Sequence, residues 1–152
     1  VSATRLRLAS PADLERVLEM VRAYHAFEGM AVDDDTRRAG LEWLLGRSEA
    51  GRVWLIEHDG EVCGYAALAF GSAIEHGGRD AFLDELFVLE ERRGQGIGRA
   101  ALAALCAEAR ALGVRALNLE VARANHRAKG LYASLGFESR EQYHLMSLRL
   151  LE

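Results

Sequence analysis

Polar and apolar residues alternate over Thr4 to Ala9, which predicts a short strand. In "SPADLERVLEMVRAYHAF" the pattern turns helical. Ser10 stands as N-cap, Pro11 at the first helical position and Asp13 in the first turn, while Leu14, Val17, Leu18, Val21 and Tyr24 fall on one face. Gly29 ends this helix, and "DDDTRRAGLEWLLGR" predicts a second, shorter one that stops near Gly46. "RVWLIEHDGEVCGYAALAF" is two apolar strands around an Asp59-Gly60 turn, a hairpin signal. Gly71 to Asp80 reads as a polar, glycine-containing loop and Phe82 to Leu89 as a strand. A helix from Gly96 to Ala111 ends at Gly113, and "RALNLEVA" is a further strand. "NHRAKGLYASLG" is a helix with Gly136 just past its end. The alternation of "YHLMSLRL", Tyr143 to Leu150, predicts a closing strand.

An antiparallel meander thus feeds one strand–helix–strand crossover, whose handedness rule makes the strand of Leu83–Leu89 parallel to that of Ala116–Val121. The predicted class is α/β in the α+β sense: a mixed, mostly antiparallel sheet of about six to seven strands with helices on both faces. The 152 residues match one domain, and no repeat, low-complexity tract or linker divides them. Half of the residues are apolar, enough for a core, yet no run has the length of a membrane span and no signal peptide is visible.

Charge narrows the partners. A net charge of −4 gives no nucleic-acid footprint. Cys63 and Cys106 each lie in an apolar segment, reading as reduced core residues of a cytoplasmic protein, and the scattered histidines have no metal-ligand spacing. Arg92, Arg93, Arg99, Arg123, Arg127 and Lys129 gather around the glycine turn and the segment two elements later, which suits an anionic ligand.

That turn, "RRGQGIG", lies between a strand and a helix. Gly94, Gly96 and Gly98 remove Cβ atoms, so backbone N–H groups can face an anion at the helix's positive end. A P-loop is excluded because no lysine follows the glycines. A dinucleotide fingerprint matches in part, with Gly96-Ile97-Gly98-Arg99-Ala100-Ala101 and Glu120 at the end of the next strand. Against it, the crossover comes late and is not repeated.

Two further patterns make the turn specific. Arg93-Gly94-Gln95-Gly96-Ile97-Gly98 resembles the R/Q-x-x-G-x-G/A acetyl-CoA signature of the GCN5-related N-acetyltransferase (GNAT) superfamily. "ANHRAKGLYASLGF" is similar to that superfamily's second pattern through Asn125, Ala128, Leu131-Tyr132 and Gly136-Phe137. The resemblance covers essentially the whole chain. It implies a sheet splayed between its two parallel strands, with the N–H groups from Arg93 through Arg99 (Arg93, Gly94, Gln95, Gly96, Ile97, Gly98, Arg99) cradling the pyrophosphate of acetyl-CoA. The pantetheine arm would pair with the main chain at Leu86, Phe87 and Val88, and an N–H there, such as that of Val88, would steady the oxyanion.

Acetyl transfer to an amine needs a base for the ammonium proton and an acid for the departing thiolate. Asp84 and Glu85 lie on opposite faces of their strand. Counted by twos, Glu85 shares a face with Leu83 and Phe87, and Asp84 shares one with Phe82, Leu86 and Val88; parity alone does not choose between them. The resemblance favours Glu85 as base. It also makes Tyr132 the acid and sets Asn125, seven residues earlier, on the same helical face to bind pantetheine. Arg127 and Lys129 would meet the 3′-phosphate.

On the acceptor side, Tyr24, Phe27, Glu28 and Asp84 would suit a cationic amine. The acidic cluster Asp33–Asp35 lies in the same region and could pair with such a cation, but Asp33 or Asp34 is a natural N-cap and acids belong in a helix's first turn, which favours capping. The implied protein is an acetyl-CoA-dependent N-acetyltransferase acting by direct transfer in a ternary complex on a small amine. It would need no metal and touch neither nucleic acid nor membrane. A homodimer through the last strand is compatible with the resemblance. The alternatives are a non-catalytic acyl-CoA-binding module and, more distantly, a dinucleotide-binding oxidoreductase.

Overall fold

The computed structural model describes residues 3–151. Those residues form two compact units, one ending at Glu120 and the other beginning at Val121.

The first unit is built on a five-stranded sheet in the order β1-β2-β3-β4-β5. Its strands are β1 (Thr4–Leu8), β2 (Gly51–His58), β3 (Glu61–Ala73), β4 (Gly78–Val88) and β5 (Leu117–Leu119). The first four pair antiparallel, and β4 pairs parallel with β5 through Ala81↔Leu117, Phe82↔Asn118 and Leu83↔Leu119. Three helices cover the sheet: α1 (Leu14–Glu28), α2 (Asp34–Leu45) and α3 (Ile97–Ala111).

The local signals explain these elements. Asp59 and Gly60 both have positive φ, 51° and 81°, the turn whose twist matches a two-residue hairpin. Before α1, the Asp13 carboxylate accepts from the Ser10 N–H at 3.0 Å, and this bond holds its pKa down. Asp33 caps α2 by accepting from Thr36 N–H at 2.8 Å. The loop expected over Gly71–Asp80 is shorter: the ladder continues through Gly71↔Asp80, Ser72↔Arg79 and Ala73↔Gly78, leaving only a tight turn. At that hairpin end Arg52 and Arg79 cover Phe70 with their guanidinium groups, so its polar residues sit in a strand rather than a loop.

The core divides between the two faces of the sheet. On one, Val17, Leu18, Met20 and Val21 of α1 and Leu41 of α2 pack on Val53, Leu55, Tyr65, Ala67 and Phe87. On the other, Ile97 and Ala101 of α3 meet Ile56 and Cys63, with Leu86 and Val88 alongside. Helices on both faces and the parallel pair therefore agree with the sequence pattern. The strand number does not. Five strands form among the described residues, and Tyr143–Leu150 is not one of them. Alternation marks a strand only where a neighbouring edge supplies ladder partners, and β5, at three residues, pairs with β4 alone.

The second unit carries α4 (His126–Ser134). Asn125 caps it, accepting from Ala128 N–H at 3.1 Å, and Gly136 follows its end with φ 98°.

Among the described residues, close backbone approach requires glycine at Gly51, where a Cβ would collide with the Leu68 carbonyl, and at Gly64. A Cβ on Gly64 would collide with the Phe87 carbonyl of the adjacent strand. Gly40, within α2, has open space around it. Gly64→Ala should lower unfolding free energy by about 2 kcal/mol. Gly40→Ala should raise it by about 1 kcal/mol. Urea denaturation of the two variants checks both signs.

Candidate active site

The strand that carries the acidic pair contains a bulge. Glu85 pairs with Ala67 and Leu83 with Leu68, so Asp84 is the extra residue without a partner across the ladder. The bulge reverses the side-chain alternation. Glu85 and Phe87 lie opposite Ala67 and Tyr65 and face the layer of α1 and α2. Leu83 lies opposite Leu68, one residue on from Ala67, and so faces the α3 side together with Leu86. This corrects the parity count, which placed Leu83 with Glu85; counting by twos fails across an inserted residue.

Glu85 points into the core layer, with 15% of its side chain exposed. Its two carboxylate oxygens have separate donors. Tyr65 Oη donates to Oε1 at 2.7 Å, and Nε2 of His25 lies 2.6 Å from Oε2. Burial first, then the negative charge of Glu85, pushes the Tyr65 hydroxyl far up, so it stays a donor. His25 is itself buried, and its Nδ1 accepts from Arg37 Nε at 3.1 Å. Arg37 is braced by Asp34 at 3.6 Å, and Arg22 holds Asp34 through two bonds of 2.7 and 2.8 Å. Two members of the predicted acidic cluster are thereby accounted for, Asp33 as cap and Asp34 as anchor.

Asp84 differs from its neighbour. Its side chain reaches water, yet protein crowds it closely enough that desolvation, followed by the charges of Glu85 and Glu120, raises its pKa. Of the other residues expected on the acceptor side, Tyr24 packs inward against Phe87 and Tyr65, with ring centroids 5.7 and 6.5 Å away. Phe27 and Glu28 are exposed near the end of α1.

Beyond Leu83 no strand pairs with the outer edge of β4 among the described residues. Leu89 N–H donates to the Cys63 carbonyl at 2.8 Å, so Leu89 and, by alternation, Phe87 turn their backbone groups toward β3. Leu86 and Val88 then turn theirs the other way, toward the edge that β5 accompanies only as far as Leu83. Of the three residues expected to pair with a ligand arm, Leu86 and Val88 therefore direct peptide groups outward, whereas Phe87 spends its own on the sheet.

A 3-10 turn over Glu90–Arg92 leads from this edge to the glycine turn. Gly94 and Gly96 adopt left-handed φ of 77° and 78°, with nothing within 4 Å of where a Cβ would stand. Gly96 caps α3, which begins one residue later than the pattern suggested, at Ile97. Ile97 buries its side chain in the core, so only its backbone serves the turn. Gly98 has no positive φ, and Gln95 and Arg99 are exposed. Arg93 is committed to the protein: Nε donates to the Val88 carbonyl at 2.9 Å, and its guanidinium lies 4.3 Å from the Phe27 ring and 5.2 Å from that of Phe87. In the second unit Asn125 uses its side-chain oxygen as the α4 cap, Tyr132 packs on Phe137 at 5.8 Å, and Arg127 and Lys129 occupy the first turn of α4. Burial raises the thiol pKa of both Cys63 and Cys106, which disfavours either as a nucleophile.

Sequence reasoning passed over His25, Tyr65 and Arg37. The available signal was the spacing of Val17, Val21 and His25, which sets a polar ring on the buried stripe of α1.

Comparison with known proteins agrees with this architecture. Residues 14–137 match the model of the acetyltransferase (GNAT) family. An uncharacterized N-acetyltransferase of Archaeoglobus fulgidus is 33% identical over 129 residues, covering 81% of this chain and 87% of that protein. The L-amino acid N-acyltransferase MnaT of Escherichia coli is 30% identical over 138 residues, covering 87% and 78%. The Bacillus subtilis protein YycN, an uncharacterized N-acetyltransferase, is 41% identical over 64 residues, a match spanning 42% of this chain and 41% of that protein. Among solved structures, an integron cassette protein from a salt-marsh metagenome superimposes with a TM-score of 0.83 at 32% identity, covering 97% of this chain and 91% of that one. The open β4 edge, the left-handed glycines at the start of α3 and the family match over residues 14–137 lead to one conclusion: the chain belongs to the GNAT acetyltransferase family.

Proposed function

We propose that this protein transfers the acetyl group of acetyl-CoA to the primary amine of a small molecule, by direct attack within a ternary complex. The observation that carries the reading is the β4 edge, where Leu86 and Val88 turn peptide groups outward one short 3-10 turn before two left-handed glycines. The extended pantetheine arm has the shape and hydrogen-bonding groups of a strand and suits such an edge; an anionic pyrophosphate suits the turn. Open space at the Gly94 and Gly96 Cβ positions leaves room for that approach. When bound, acetyl-CoA supplies the activated acyl group.

The residues of this chain supply the rest. The Val88 N–H would donate to the oxyanion. Glu85 would take the proton of the incoming ammonium, directly or through water. Tyr132 would return a proton to the thiolate, with Asn125, Arg127 and Lys129 as further contacts to the cofactor. A free alkylamine has a pKa of about 10.4, so without a base almost none of it is nucleophilic at neutral pH. Asp84, beside Glu85 and solvent-exposed, gives the acceptor side a negative character that suits a cation. Relatives by name include an L-amino acid N-acyltransferase, and structures sharing the fold include an aminoglycoside N-acetyltransferase in complex with CoA, at 21% identity and a TM-score of 0.79. Amino acids and aminoglycosides therefore head the acceptor panel.

Titration calorimetry should give micromolar binding of acetyl-CoA and no heat with NAD. Absence of acetyl-CoA binding would overturn the reading, and NAD binding in its place would restore the dinucleotide fingerprint. Once thiol release identifies an acceptor, Glu85→Gln should reduce kcat/KM by roughly 10²-fold at neutral pH. That deficit should shrink toward the amine's own pKa of about 10.4, because the amine then arrives neutral. Tyr132→Phe should lower kcat by roughly 10²-fold while acetyl-CoA affinity stays unchanged. Acetyl-CoA binding without thiol release from any amine would favour the non-catalytic binding module.

A further inference from the structure

His25 sits between a guanidinium and a carboxylate, and the two neighbours together fix its protons. Arg37 Nε, 3.1 Å from Nδ1, has a hydrogen to give and no lone pair to accept with. Nδ1 must therefore be the unprotonated nitrogen. A neutral imidazole then carries its hydrogen on Nε2, which lies 2.6 Å from Glu85 Oε2 and donates to it. The reverse assignment, with a protonated Glu85 donating to Nε2, would leave the ring without any proton. Tyr65, whose hydroxyl remains protonated, donates to the other oxygen at 2.7 Å.

We propose that Arg37 locks His25 as a fixed Nε2–H donor, and that His25 and Tyr65 are positioning residues which aim the Glu85 carboxylate without ever carrying its proton. The proposal rests on Glu85 being the base. It assigns a direction to proton flow. His25 cannot receive a proton from Glu85, because the nitrogen facing Glu85 already has one and Arg37 occupies the other. Tyr65 cannot receive one either, since its hydroxyl is already protonated. A proton collected by Glu85 therefore leaves through neither His25 nor Tyr65. The lock is built from several elements: Arg37 and its brace Asp34 come from α2, His25 from α1, Tyr65 from β3 and Glu85 from β4.

The arrangement resembles an acid–base triad, and the two roles make opposite predictions for one variant. The side-chain amide of glutamine can donate from the position of the imidazole Nε2 but cannot shuttle a proton. With a lock, His25→Gln should keep kcat within about threefold of wild type, while His25→Ala lowers it roughly 10- to 100-fold with KM for acetyl-CoA unchanged. With a relay, the two variants would be equally impaired, and that result would overturn the proposal. Acetyl-CoA binding and thermal unfolding, measured on both, identify a variant that has simply failed to fold.

Two-bond proton–nitrogen correlation spectra of the wild-type protein give an answer independent of turnover. They should show His25 in the Nε2–H form, and Arg37→Met should convert it to a mixture of tautomers. A Nδ1–H or doubly protonated ring at neutral pH would overturn the lock. Full activity in Glu85→Gln would instead overturn the base assignment, and the spectra would still decide the tautomer.

Discussion

A carboxylate turned into an apolar layer has to be given donors, and much of this fold can be understood from that requirement. Leaving Glu85 unpaired beneath α1 and α2 would cost several kcal/mol, or force it to take up a proton. The protein meets the cost with one donor for each oxygen, from Tyr65 and His25. His25 in turn needs its second nitrogen satisfied, and Arg37 needs a counter-charge, found in Asp34. The chain of obligations ends at Arg22 and Asp34, where solvent screens whatever charge remains. Two helices are thus held over the sheet by polar bonds where Glu85 enters their packing.

The same strand does two unlike things, and a single inserted residue makes that workable. Before the bulge, β4 is an ordinary ladder member between β3 and β5. At Asp84 the alternation resets, so the next residue turns toward α1 and α2 rather than toward α3. Beyond it the partner strand has ended, and the peptide groups of Leu86 and Val88 turn to an edge without one. An edge left open is ordinarily a hazard for proteins, since it invites another strand. Here it is short and closed off at its end by Arg93, which spans from the Val88 carbonyl to the Phe27 ring.

The helices, the hairpin turn and the glycine turn were legible because each is written in local chemistry: Pro11 and Asp13, the Asp59-Gly60 pair, Gly94 and Gly96. The bulge was not, because nothing in "FLDELFV" says that the partner strand counts one residue fewer. His25 was passed over for a related reason. A lone polar residue on an apolar stripe gains meaning only from its partner, and Glu85 lies sixty positions away in the chain. Alternation misled at Tyr143–Leu150, where the pattern is present but no strand forms among the described residues.

Arg93 shows how a residue of the glycine-turn motif can be tied into the fold itself. Its charge would suit a phosphate, yet the guanidinium is flanked by Phe27 and Phe87, with Nε bound to a carbonyl. A guanidinium so placed retains cation–π and hydrogen-bond energy that it would forfeit by swinging out to an anion. Next to it, Gly94 and Gly96 are left-handed and α3 begins, a geometry in which backbone N–H groups can face an anion. What Arg93 gives instead is a tie between the strand end that offers Val88 and the helix that carries His25. The donor edge and the network around Glu85 are therefore joined through one side chain as well as along one strand.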